Sequence, residues 1–81
     1  MAMTQDKFNS VVGKRITAAQ RVLGDDDLLL AAKAGFTERE LKAYKAGKRT
    51  PNGYRLMRIA DALGVSLDYL IGRTKSSMPV A

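Results

Sequence analysis

The stretch Asp25-Asp26-Asp27-Leu28-Leu29-Leu30-Ala31-Ala32-Lys33-Ala34-Gly35-Phe36-Thr37-Glu38-Arg39-Glu40-Leu41-Lys42-Ala43-Tyr44-Lys45-Ala46-Gly47 reads as two short helices joined by a turn. The three aspartates offer an N-cap and first-turn carboxylates, which the positive end of a helix favours. The helix they open, over about 27–34, is rich in Leu and Ala, and Gly35 stops it. Thr37, with Glu40 three residues on, makes a Thr-x-x-Glu capping box that satisfies two orphan backbone donors reciprocally. It predicts a second helix over about 38–46 that buries Leu41 and Tyr44 and ends at Gly47.

Upstream, Val12, Ile16, Ala19 and Leu23 fall at helical spacing on one stripe, and Gly24 closes that helix. Downstream, Lys48 to Gly53 reads as a basic loop. A fourth helix over about 54–63 then places Leu56, Ile59, Ala60 and Leu63 on one face, with Met57 as a core filler and Gly64 as its cap. Ser66 caps a last short helix carrying Leu67, Leu70 and Ile71, closed by Gly72. No segment shows strand periodicity, so the predicted fold is all-α with five helices over 11–72. Residues 1–10 and 73–81 are expected to be flexible ends.

A chain of 81 residues suffices for one small domain with one modest core. It has no Cys and no His, which removes disulfides, the usual zinc, haem and iron–sulfur sites, and Ser-His or Cys-His nucleophile pairs. Of only eight acidic residues three are adjacent, so no catalytic pair stands out and neither an enzyme nor a cofactor is expected. No apolar run approaches the ~20 residues of a membrane span. Met1 to Ser10 is polar and lacks a signal-peptide pattern, which makes the cytoplasm the expected compartment.

The net charge of +6 is unevenly spread. Residues 37–58 hold seven Lys and Arg against two Glu, which concentrates five of the six net charges there. Such a patch suits a polyanion, nucleic acid first. The paired helices also satisfy the geometry of a helix-turn-helix, with Ala31 as the small crossing residue, Gly35 in the turn, and Leu30, Phe36, Leu41 and Tyr44 as apolar locks. The second helix would present Thr37, Glu38, Arg39, Lys42, Ala43 and Lys45 outward. Arg can fork onto guanine, Glu can accept from cytosine N4, and Thr or Ala can meet a thymine methyl. Lys48, Arg49, Arg55 and Arg58 would neutralise phosphates, and the Tyr54 hydroxyl could reach one or cap the fourth helix.

Two segments carry a family resemblance. Tyr44-Lys45-Ala46-Gly47-Lys48-Arg49-Thr50-Pro51 resembles an aromatic-x-x-Gly-Lys-Arg-x-Pro connection, and Ala60-Asp61-Ala62-Leu63-Gly64-Val65-Ser66-Leu67-Asp68-Tyr69-Leu70-Ile71-Gly72 resembles a closing segment. Both are similar to those of the phage repressor/Cro-type (XRE family) helix-turn-helix domain, a five-helix, lambda-repressor-like unit. The resemblance implies a cytoplasmic, bacterial or phage-encoded transcription regulator. It implies binding to double-stranded DNA as a homodimer on a palindromic operator, most often to repress. By matching position, Thr37, Glu38, Arg39, Lys42 and Ala43 would face bases, and Asp27, Lys48 and Arg49 would lie near phosphates.

Two departures stand out. Members often begin the second helix with Ser or Gln near a phosphate, whereas Asp25, Asp26 and Asp27 stand here and carboxylates repel phosphate. Many members pair an Arg of the first helix with a Glu late in the third. The matching residues here are Gln20 and Lys45, which leaves Lys45 to join the phosphate-binding cations. With Leu28 and Leu30 serving the core, Leu29 should face outward. That residue and the acidic trio keep a second reading open, an antitoxin-like protein that holds a protein partner as well as DNA. A membrane-surface binder would need a bulky apolar face, which the third helix lacks. Fold analogy places a dimer contact near Leu63, Val65 and Leu67.

Overall fold

The computed structural model describes residues 3–76. Its helices are α1 (Gln5–Leu23), α2 (Asp27–Ala34), α3 (Glu38–Lys45), α4 (Gly53–Leu63) and α5 (Leu67–Leu70). Among the described residues there is no strand. Each helix starts at a side chain that accepts a hydrogen bond from an orphan N–H: Thr4, Asp26, Thr37, Asn52 and Ser66 in order. Each such cap contributes about 1 kcal/mol.

The core is where all five helices meet. Val12 and Ile16 of α1, Leu30 of α2, Leu41 of α3, Ile59 of α4 and Leu70 of α5 are each fully buried. Truncating any of them to Ala would cost about 2–5 kcal/mol. α1 is the spine, packing against α3, α4 and α5, while α2 packs against α3 and α4.

Three expectations need correction. The first helix begins at Gln5, so residues 5–10 belong to the folded domain and are not a flexible end. Phe8 packs on the core one turn before Val12, and Asn9 is buried with its side-chain oxygen accepting from Thr50 Oγ1 at 2.8 Å. Leu28 does not serve the core: it is 65% exposed, because the buried face of the eight-residue α2 is set by Leu30, Ala31 and Ala34. Met57 is likewise 53% exposed and fills no core space. Beyond α5, residues 73–76 form no helix, and 77–81 of the expected tail lie outside the described residues.

Candidate nucleic-acid interface

The turn between α2 and α3 is built on Gly35, whose φ of 84° is reached without strain only by glycine. Phe36 N–H then donates to Ala31 O at 2.8 Å, closing α2 and sending the chain directly into Thr37. The capping box forms in full, with Thr37 Oγ1 accepting from Glu40 N–H and Glu40 Oε1 accepting from Thr37 N–H, both at 3.1 Å. The Thr37 hydroxyl is thereby committed to the cap.

Two polar clusters fasten α3 from its inner side. At its C-terminal end, Lys45 Nζ lies 2.6 Å from Asp27 Oδ1, and Gln20 Nε2 donates to the same oxygen at 2.7 Å. These bonds, Lys45 first, hold the Asp27 carboxyl below its ordinary pKa. The first helix, the second and the third are thus joined through one carboxylate. Asp27, expected near phosphate, thus spends its carboxylate on Gln20 and Lys45, and Lys45, expected among the phosphate-binding cations, is ion-paired and about one-fifth exposed. The interhelical link carried by an Arg–Glu pair in the resembling family is made here by Gln20, Asp27 and Lys45.

On the other flank, Arg55 Nη1 donates to Glu40 Oε2 and, at 2.9 Å, to the hydroxyl of Tyr44. The Arg55 guanidinium also lies 5.0 Å from the Phe36 ring, which meets Tyr44 edge-on at 5.8 Å. The Arg55 hydrogen bond is the largest cause that holds the Glu40 carboxyl down at about 2, and the Thr37 N–H is the next. Arg55, expected among the phosphate-binding cations, is thus a tie between α3 and α4 through its Nη1. Arg58 stays exposed while its Nε donates to Ala34 O at 3.1 Å, capping the negative end of α2.

What remains outward is a smaller set. Arg39 is exposed on the first turn of α3 and makes no ion pair among the described residues. One turn on, Lys42 lies 3.7 Å from Glu38 in an exposed i,i+4 pair, and Ala43 is half-buried beside it. Lys48 and Arg49 are exposed in the loop that follows, with the Arg49 guanidinium 5.9 Å from the Tyr44 ring. That loop is anchored to α1, since Gln5 Nε2 donates to Thr50 Oγ1 at 2.8 Å and Thr50 donates onward to Asn9. Tyr54 is 68% exposed, and the cap of α4 is Asn52.

Sequence reasoning placed Gln20 and Lys45 at the positions of the interhelical pair but missed Asp27 as their common partner, and it missed Gly13. Gly13 lies where α1 crosses the last carbonyls of α3. Nothing local marks it.

Among the described residues, no helix is long and apolar enough to cross a membrane. A search of curated proteins gives no match. Among solved structures, the chain is similar to the P22 c2 repressor protein, solved in complex with a synthetic operator. The two share 27% identity at a TM-score of 0.73, over 78% of this chain and 96% of that one. The helix-turn-helix family model matches residues 28–70, which is more than half of the sequence. The chain belongs to the helix-turn-helix family, and it is a DNA-binding regulator rather than an enzyme.

Proposed function

We propose that the protein is a dimeric, sequence-specific transcriptional repressor that places α3 in the major groove of a palindromic operator. The observation that carries this reading is α3 itself. It is fastened on its inner side at both ends, and Arg39 stands exposed and unpaired on its outer side. Arg39 reads a guanine, the Thr37 methyl and Ala43 meet apolar base edges, and Glu38 with Lys42 completes the reading surface. Lys48, Arg49 and the Tyr54 hydroxyl hold phosphates and set register. A repressor in operator complex at 27% identity supports the same reading, as does the bacterial or phage setting that the resemblance implies.

Two copies would occupy major grooves one turn, about 34 Å, apart. Leu63 is only 5% exposed and serves mainly the core, lining the floor of the groove between α1 and α4. We assign the contact between the copies to the apolar surface at the ends of α1 and α4, where Val22 is 90% exposed near Val65. Leu28 and Leu29, 65% and 47% exposed on α2, favour the second reading, a protein partner held in addition to DNA.

The test is selection from a random duplex pool, followed by titration of the recovered operator and of random DNA. A palindrome with half-sites about one turn apart is expected. Arg39→Ala should then cost about 1–3 kcal/mol on operator alone, whereas Lys48→Ala should weaken both duplexes alike. Equal losses on both duplexes for Arg39→Ala would remove that residue from base reading. Recovery of DNA without a motif would shift the assignment to the partner-binding class.

A further inference from the structure

Internal pairing redraws the charge map that the linear sequence suggests. In the middle of the chain Lys45 and Arg55 are bound to Asp27 and Glu40. In α1, by contrast, Lys7, Lys14 and Arg21 are exposed, and none makes an ion pair among the described residues. Their spacing of seven is close to two helical turns, so the three side chains share one face. From first to last they span about 21 Å along the helix. The same face carries the half-buried Ser10, Val11 and Thr17 and no exposed bulky apolar residue, which suits a phosphate chain better than a lipid surface.

This face adjoins the reading helix. Lys14, Thr17 and Arg21 line one groove together with Gly13 and with Lys45 of α3. Across the groove, Lys42 is close enough to Asp27 to help keep its carboxylate ionised. Lys14 and Arg21 of the stripe thus share a groove with the Lys45–Asp27 pair that joins α3 to α2. At the start of α2, meanwhile, the exposed Asp26 carboxylate repels phosphate, while Asp27 is taken up by Lys45 and Asp25 by Lys33 at 2.6 Å.

We propose that Lys7, Lys14 and Arg21 form a second phosphate track, which binds the backbone of the duplex beside the base pairs that α3 reads. The proposal rests on the reading of α3 as the groove-inserting helix. The track supplies neutralisation that the acidic start of α2 cannot, and it carries no sequence information.

The experiment compares the full chain with Lys14→Gln/Arg21→Gln, both positions being exposed, and circular dichroism verifies that the fold is retained. Affinity for the selected operator, embedded in about ten flanking base pairs on each side, is measured across a fourfold range of salt. Each phosphate contact contributes about 0.9 to the slope of log K against log salt. The double variant should therefore lose about 2 from the slope per protomer, while its ratio of operator to random affinity stays that of the parent. Adding Lys7→Gln should remove about one more. An unchanged slope, in a protein whose Arg39→Ala variant does lose operator preference, would overturn the track and leave the α3 reading standing. A parent chain that binds no duplex would overturn both.

Discussion

Replacing Gly13 by alanine tests how tightly the reading helix is set against the rest of the fold. Gly13 sits in α1 over the last turn of α3. A methyl built there comes closer to the Lys45 carbonyl oxygen than the 3.0 Å that real Cβ atoms respect. It also lies 3.0 Å from the Lys45 carbonyl carbon and 3.1 Å from Tyr44 O. All three atoms are backbone, so no rotamer change relieves them, and the two helices must separate by roughly 1 Å. Two effects oppose each other. Alanine favours a helix interior over glycine by about 0.5–1 kcal/mol. Overpacking a rigid contact costs about 1–3 kcal/mol. The steric effect wins, and a net loss near 1 kcal/mol lowers Tm by about 4–8 °C in a domain of this size. Gly53 is the internal control: neither it nor Gly13 has positive φ, and nothing lies within 4 Å of the methyl that Gly53→Ala would add. That variant should melt at or slightly above the parent temperature. Thermal melts followed by circular dichroism decide the matter. If Gly13→Ala melts as high as Gly53→Ala, the crossing of α1 and α3 is not the rigid contact described here.

Two further outcomes follow from the clusters around α3. Asp27→Asn should lower stability by about 1 kcal/mol, since its ion pair is partly solvated, and should raise duplex affinity at low salt by releasing Lys45; a variant with lower affinity would contradict the inward role of Lys45. Glu40 titrates at about 2 in the fold against an ordinary 4.5, so its contribution is complete above pH 4.5 and is lost as pH falls toward 2. The stability gap between the parent and Glu40→Gln in urea should therefore close on acidification over that window, whereas a gap independent of pH would show that the Arg55 contact is not formed in solution.

The helices were readable because the signals that start and stop them are local. Thr37 and Glu40 are three residues apart, Ser66 directly precedes its helix, and Gly35 ends α2 by its own backbone conformation. The start of α1 escaped although Thr4 supplies a local cap, because the contacts that hold its first turns to the fold are distant in sequence. Thr50 answers Gln5 and Asn9 across separations of 45 and 41 residues. The reading surface was legible as far as residue type and helical spacing go, which is why Arg39, Lys48 and Arg49 stand outward as anticipated. The ion pairs of Lys45 and Arg55 were not legible for one physical reason: a count of charges along the chain cannot tell a solvated cation from one whose partner arrives from another helix. Leu28 misled differently. In a helix of only two turns, three small or medium apolar residues already fill the buried face, and a fourth is left in water.

The short ion pairs that fasten α3 also separate two populations of charge by their response to electrolyte. Lys45 with Asp27, and Arg55 with Glu40, have side chains only 22–33% exposed, and a partly buried pair at contact distance is weakly screened. Arg39, Lys48 and Arg49 stand in solvent and feel the full ionic atmosphere. On the proposed reading of α3, rising salt therefore strips the protein from a polyanion well before it loosens that helix. A molecule released this way keeps its recognition surface assembled, so its return to DNA waits on diffusion and not on refolding.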